Sequence, residues 1–551
     1  MAKRTGAQLL VDVLTAQGTA RVFCVPGESY LAVLDALGDA KASKAAIDTI
    51  VCRHEASAAN MAEATGKLTG RPGICFVTRG PGATQASVGV HTAFQDSTPM
   101  ILFIGQVARG DKGREAFQEV DYAAFFGPLA KWAVEIDDAA RVPEIVERAF
   151  AVAMQGRMGP VVIALPEDML IDEVEARVGG RIEPVRAGLT AGAADQVRDA
   201  LAAAERPLLV LGGSGWDAAG RDAIGAFAAA NDLPVALSFR RKDLIDNDSP
   251  LYVGDLGLSP NPKLIARVKQ ADLVIAIGAR LGENPSQGYT LFTRAESAQR
   301  LIHIHPSAEE IGRVWPVRFG AAAHVSEAAR ALQDVKVAVR WAAWRAEARG
   351  DFEAFNAPVA VTGAVNPSAM VAHMDEALRS DAIFTNGAGN FAVWLHRFHR
   401  HRAWKTQVAP TSGAMGYGYP AAIASSLEHP DREVVCVAGD GDFMMAAAEM
   451  ATVMRHGAKP IVIVLDNSAY GTIRAHQERE YPARVHATEL VNPDFAAMAR
   501  SFGLFAASVD KTEEFAAALA EARQRAPALI HVKMSVEDIA PGRTISAIRK
   551  G

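Results

Sequence analysis

Asp440 and Asn467 are the first residues whose types and spacing point to chemistry. They stand 27 positions apart, each just past an apolar run (434–438 and 461–465), with a helix-compatible segment at 443–456 between the runs. Apolar run, helix, apolar run reads as a βαβ unit, whose strands are parallel neighbours joined by the crossover helix. Ligands of such sheets gather at the carboxyl ends of the strands, so the spacing brings both side chains into one region. Gly439 and Gly441 flank Asp440 and let backbone approach a bulky anion. A carboxylate and an amide oxygen are hard donors, suited to Mg²⁺ already carried by a diphosphate. A bare Gly-Asp-Gly turn beside an ordinary strand-end Asn is the alternative, and for the turn alone it is the better reading. The turn, both strands and Asn467 together favour a metal–diphosphate clamp.

The surrounding chain repeats this alternation. Strands are expected at 21–25, 73–77, 100–104 and 160–165, with helices at 6–17 and 56–69 and a third ending near Phe94. A second α/β region follows a linker at 176–190, with strands at 207–211, 233–237, 271–277 and 300–304. Its Gly212-Gly213-Ser214-Gly215 follows a strand and precedes a helix. A nucleotide loop and a ligand-free tight turn fit that pattern equally. Residues 321–358 read as helical, and a third region carries the Asp440 motif and ends on a strand near 528–534. The expected fold class is α/β, with three doubly wound parallel-sheet domains at 1–175, 190–335 and 360–540.

The totals narrow the function classes. A net charge of −6 leaves no basic footprint for nucleic acid. No apolar run approaches the roughly 20 residues that span a bilayer, and the N-terminal stretch lacks the form of a secretory signal. Cys24, Cys52, Cys75 and Cys436 are scattered, which suggests free thiols in a reducing compartment, the cytoplasm. No GxxxxGK[ST] occurs, so a P-loop nucleotidase is excluded.

Several further motifs act jointly with the Asp440 stretch. They are RHEASAANMAEATGKLTGRPG from Arg53, TRGPGAT, TAFQDSTPMILFIGQV, AFQE, Lys131-Trp132, GPVVIALPED and SGAMGYGYPAAI. With these the chain resembles the thiamine-diphosphate-dependent 2-oxo acid decarboxylase and carboligase family, most closely the acetolactate synthase large subunits, over nearly its whole length. The resemblance implies thiamine diphosphate with Mg²⁺, the first domain holding the aminopyrimidine and the third the diphosphate. The two halves come from different subunits, so a homodimer or homotetramer is implied. Glu55 is then the residue that hydrogen-bonds a ring nitrogen of the aminopyrimidine and promotes its imino tautomer, with the cofactor serving as electron sink. Asp440, Asn467 and the Ala469 carbonyl are implied metal ligands. Gly27, Gly389, Asn390, Met415, Gly439, Gly441, Asp442, Phe443 and Tyr470 are implied cofactor contacts, Met415 propping the cofactor into a bent shape. Gln118, with Gln85 and Phe94, matches positions around the reacting carbon.

Three departures bear on substrate. Asn284 stands where the family has an arginine that grips the acceptor's carboxylate, a bidentate partner that Asn does not replace. His476 replaces a tryptophan associated with 2-oxobutyrate, and Gly254-Asp255-Leu256-Gly257-Leu258 replaces a loop near FAD, which argues against a flavin. The expected reaction is decarboxylation of a pyruvate-like 2-oxo acid and transfer of the acyl-anion equivalent to an acceptor. A related lyase, decarboxylase or acyltransferase, or a flavin-linked oxidase, is the alternative. A non-catalytic regulator on this scaffold predicts loss of Glu55 or of the metal residues, and all are present. Nothing in the sequence specifies a regulatory small subunit.

Overall fold

Three six-stranded sheets organise the chain, and every strand pairing within them is parallel. The computed structural model describes residues 3–42 and 47–550. The central strands Val434–Gly439 and Ile461–Asp466 are buried along their whole length. This explains why they read as continuous apolar runs and not as alternating ones: helices cover both faces of a parallel sheet.

The first sheet runs, in space, Asp48–Val51, Arg21–Cys24, Gly73–Val77, Met100–Gln106, Pro160–Pro166, Trp132–Glu135. Numbered along the chain that order is 2-1-3-4-6-5, and the third sheet, from Ile383–Asn386 to Ala528–Lys533, has the same order. The two regions therefore share one topology, which residue identities alone do not reveal. The middle sheet is ordered 3-2-1-4-5-6 instead.

Two expected elements take a different form. The helix expected at 443–456 is broken into Asp440–Met444, a single turn at Ala447–Glu449, and Met450–His456. It begins on Asp440 itself, and Ala446 leaves helical geometry at φ −131°, ψ 11°. The stretch 321–358 is not one helix. Its start belongs to edge strand Phe319–Ala322, and the helices Val325–Leu332 and Ala342–Phe355 are separated by non-helical chain. The charged character of the segment hid the short strand, which alternates half-buried and exposed residues at a sheet edge.

Helix Glu55–Thr69 is the seam of the molecule. His54 Nδ1 caps it by accepting the Ala56 N–H, and Gly70 closes it in a left-handed conformation at φ 73°. Its small residues Ala58, Ala59 and Ala62 are buried in a core that also contains Tyr417, Ala421, Ile423 and Val453 of the third region. Within that core Lys67 Nζ pairs with Asp96 and, at 3.2 Å, with Glu63. Tyr417 donates to Glu63, and Asp96 accepts the Thr411 N–H at 2.7 Å. Burial alone would raise the Asp96 carboxyl, but Lys67 outweighs it and holds the pKa down. Removing one member of a buried charged network leaves the others uncompensated. Lys67→Ala is therefore expected to destabilise the protein by about 3–5 kcal/mol in urea unfolding, against less than 1 kcal/mol for an exposed pair such as Arg379–Asp381.

Candidate active site

In the third sheet, strands Ile383–Asn386 and Val434–Gly439 are neighbours from which the chain departs in opposite directions, and Ile461–Asp466 follows. Such a switch point leaves a crevice at the strands' carboxyl ends. Gly389, Asn390, Met415, Gly439, Asp440, Gly441, Asp442, Asn467, Ala469 and Tyr470 line one cleft there, of about 240 Å³. Phe443 does not line it. Its ring is 1% exposed and packs edge-on against Phe495, so only its backbone faces the start of the helix.

Each position has a local cause. The Asp440 carboxylate is 3% exposed, its Oδ1 accepting the Gly441 N–H at 2.9 Å and its Oδ2 accepting Asn492 Nδ2 at 2.7 Å. The same amide donates to Asp466 Oδ1 at 2.8 Å, and His531 Nε2 lies 2.9 Å from Asp466 Oδ2. Burial raises the Asp440 pKa, and nearby Asp466 adds to it. For Asp466 burial also acts upward, but hydrogen bonds from His531, Ser468 and Asn492 win and hold it low. Asn467 Oδ1 accepts the Ala469 N–H at 3.2 Å. Thr472 Oγ1 accepts from the Asn390 N–H at 2.9 Å and fixes the second loop of the cleft. Gly389 has φ 154°, a backbone that other residues rarely adopt. A Cβ at Gly441 would stand 2.6 Å from the Tyr470 ring, so any side chain there would displace that ring.

Among the described residues, no group of three or more His, Cys, Asp or Glu side chains could hold a metal. A cation at Asp440, Asn467 and the Ala469 carbonyl must therefore complete its shell with ligand oxygens, which suits Mg²⁺ on a diphosphate. The adjacent Asp440 and Asp466 carboxylates favour such a charge. The donor set fits both groups.

Asp442 does something different. Its Oδ1 accepts N–H groups from Gly416 at 2.9 Å and Ala388 at 3.3 Å, stapling the Met415 loop to the Gly389 loop. Burial lifts its pKa to about 7. Because the folded value lies above the unfolded 3.8, the linked stability is fully present below pH 4 and is lost as pH rises through 7. Asp442→Asn keeps the Oδ1 acceptor and cannot ionise. Relative to the parent, the cofactor-free variant should gain on the order of 2 kcal/mol between pH 5 and pH 8, read from urea midpoints.

The remaining residues form a second group, on the first sheet. Glu55 packs over Gly82, Gly27 and Gly82 both meet Thr78, and Gln118 covers Gly80. Gln118 holds a left-handed φ of 64°, and Tyr122 Oη accepts the Gly80 N–H at 2.7 Å. Glu55 is only half-buried, and Gln85 is exposed. None of these residues lines the Asp440 cleft, whose walls come from residues 388–539. Phe94 lies apart, under the Arg157 guanidinium. Asn284 lines a different crevice of about 350 Å³, with His91, Gln95, Arg241, Arg280 and Thr411. His476 is exposed on helix Gly471–Glu480 beside Arg479. Asn492, Asp466, His531 and Thr472 escaped the motif reading. Asp466 adjoins Asn467 and was open to notice, whereas Asn492 arrives from a loop with no motif of its own.

A carboxylate beside a glycine-rich turn on the first sheet and an oxygen-lined cleft on the third thus lie on parallel sheets of like topology. Residues 4–125, 194–332 and 387–532 match, in turn, the N-terminal TPP binding domain, the central domain and the C-terminal TPP binding domain of thiamine pyrophosphate enzymes. The acetolactate synthase large subunit of Parasynechococcus marenigrum is 32% identical over 96% of this chain and 87% of its own. The isozyme 2 large subunit of Escherichia coli is 30% identical over 97% of both chains, and the Bacillus subtilis acetolactate synthase 28% over 98% and 94%. The chain belongs to the thiamine-diphosphate-dependent enzyme family and is acetolactate-synthase-like.

Proposed function

We propose that the protein decarboxylates a pyruvate-like 2-oxo acid with thiamine diphosphate and Mg²⁺, and passes the acyl unit to a second carbonyl compound. The observation that carries this reading is the cleft, which gathers a buried carboxylate, a strand-end amide oxygen and Met415 at one switch point. Thiamine diphosphate, when bound, supplies a carbon nucleophile and an electron sink for the bonding pair released with CO₂. Asp440, Asn467 and the Ala469 carbonyl would hold the metal, and Asp442 and Phe443 would offer backbone N–H groups at a helix start, with Gly441, whose N–H is taken by Asp440 Oδ1, leaving room for the diphosphate. Gly389, Asn390 and Met415 line the same cleft, and Met415 would pack against the cofactor. Glu55 donates its carboxyl proton to a ring nitrogen of the aminopyrimidine and takes it back.

Glu55 serves a second copy of the chain. It lies outside the cleft that Asp440 lines, and it is half-buried beside Gly82, with Gln118 against neighbouring Gly80. Exposed Phe117 at 74% and Met445 at 54% are the apolar surface such a partner covers. The assembly is a homodimer or a pair of dimers. Four buried free thiols fit a reducing compartment, the cytoplasm. No helix among the described residues is long and apolar enough to cross a membrane.

The proposed reaction is neither a net oxidation nor a net reduction, so it calls for no flavin chemistry. In the stretch 254–258, Asp255 is buried near Lys242, and Gly257 is packed against Phe239. Asn284 supports a second reading, a lyase or acyltransferase whose acceptor lacks a carboxylate, since an amide cannot form the charged clamp. Incubation with ¹³C-labelled pyruvate, thiamine diphosphate and Mg²⁺, followed by NMR, separates the two. Acetolactate supports the first, ligation only to added aldehydes supports the second, and failure to consume any 2-oxo acid contradicts both.

A further inference from the structure

The turn Arg53-His54-Glu55 joins strand Asp48–Val51 to helix Glu55–Thr69, and it is held from the third region of the same chain. Glu449 Oε1 accepts the N–H groups of Arg53 and His54, both at 3.1 Å. Its Oε2 accepts Arg53 N–H at 3.2 Å and Thr452 Oγ1 at 2.5 Å. Two turns on, His456 Nε2 accepts the Val51 N–H at 3.0 Å. One crossover segment, 440–456, thus starts on the metal clamp of its own cleft and grips the turn that aims Glu55 at the other.

Glu449 is completely buried, and burial pushes its carboxyl up against hydrogen bonds from Thr452, Arg53, Ser57 and His54 that pull it down. No salt bridge to Glu449 is formed among the described residues. Burying a carboxylate without a cation costs several kcal/mol, so cohesion between the domains does not call for one. An apolar side chain would join them at lower cost. What a carboxylate adds is direction, because two acceptor oxygens fix two successive N–H vectors, and with them the first residue of the helix.

We propose that Glu449 is a positioning residue, which holds the backbone of Arg53 and His54 so that Glu55 meets the aminopyrimidine of thiamine diphosphate bound between two copies of the chain. It rests on the reading of Glu55 given above. Glu449→Gln is isosteric, but its NH₂ end only donates: it opposes the Arg53 N–H, and Thr452 Oγ1 must turn from donor to acceptor. Thr452→Val removes one anchor of the carboxylate and disturbs packing less.

Three readouts test the assignment in the full-length enzyme. Amide hydrogen exchange is followed by mass spectrometry across 51–58 without cofactor, the affinity for thiamine diphosphate with Mg²⁺ is titrated, and exchange of the bound thiazolium C2 proton is measured by quenched NMR. Glu449→Gln should speed amide exchange and slow C2 exchange, each about tenfold or more, with cofactor affinity within about threefold. Thr452→Val should show the same directions with smaller changes, and it decides the question if Glu449→Gln does not fold. The double variant Glu55→Gln/Glu449→Gln should be no slower in C2 exchange than Glu55→Gln, since the two act through one group. Parent-like amide and C2 exchange in either Glu449→Gln or Thr452→Val, with Glu55→Gln slow, overturns the role of Glu449 alone. Parent-like C2 exchange in Glu55→Gln overturns the reading of Glu55, and this assignment with it.

Discussion

Glu55→Gln is expected to lower cofactor-dependent CO₂ release by about a thousandfold while leaving the affinity for thiamine diphosphate within a few-fold of the parent. The amide fills the same space over Gly82 and still donates a hydrogen bond, so the ring is held. What it lacks is a proton that moves to a ring nitrogen and returns. A positioned acid–base group contributes roughly 10²–10⁴ in rate, and the proposed diphosphate contacts lie on a different sheet. Steady-state kinetics with a cofactor titration separates the two effects. A loss of less than threefold in turnover would show that Glu55 is not the proton donor.

Asp440→Ala should act at the opposite end of the cofactor. On the proposed assignment, removing the carboxylate takes away the one charged protein ligand offered to the metal, in a cleft 3% exposed at that residue. Affinity for the Mg²⁺–cofactor pair is expected to fall at least a hundredfold, about 3 kcal/mol. The cofactor-free protein should not lose stability, because Asp440 is buried beside Asp466 and its charge is disfavoured there. Calorimetric titration and thermal melting check the two halves of this statement. The pair of variants also tests the assembly. If each site takes Glu55 from one copy and Asp440 from the other, a mixed dimer of the two inactive variants has one intact site. Random reassortment makes half the dimers mixed, so mixing after mild dissociation should restore about a quarter of the parent activity. Persistent inactivity in dimers shown to be mixed would place both residues in one copy's site.

What sequence made legible was whatever local chemistry repeats over a short stretch. Asp440 and Asn467 were readable because each follows a fully buried apolar strand, and parallel pairing then fixes their neighbourhood. The shared topology of the first and third sheets was not readable. It depends on strand order, and edge strands such as Gln407–Val408 are only two residues long. The break in the helix after Asp440 was hidden because apolar periodicity persists through it, while the Ala446 backbone leaves the helix. Asn492 and Glu449 were missed for one reason. Each acts on a residue distant in sequence, 52 positions from Asp440 in one case and 396 from Arg53 in the other, and neither lies in a stretch whose composition marks it. Asp442 was assigned to the cofactor through its backbone, whereas its side chain staples two loops.

CO₂ release from pyruvate and other 2-oxo acids, by protein stripped of cofactor and metal and then reconstituted, tests the account most directly. Release that is absent from the stripped protein, returns only when thiamine diphosphate and Mg²⁺ are both supplied, and stays absent in Asp440→Ala is the predicted result. Release that is indifferent to the cofactor, or none from any 2-oxo acid in fully reconstituted dimers, would contradict it.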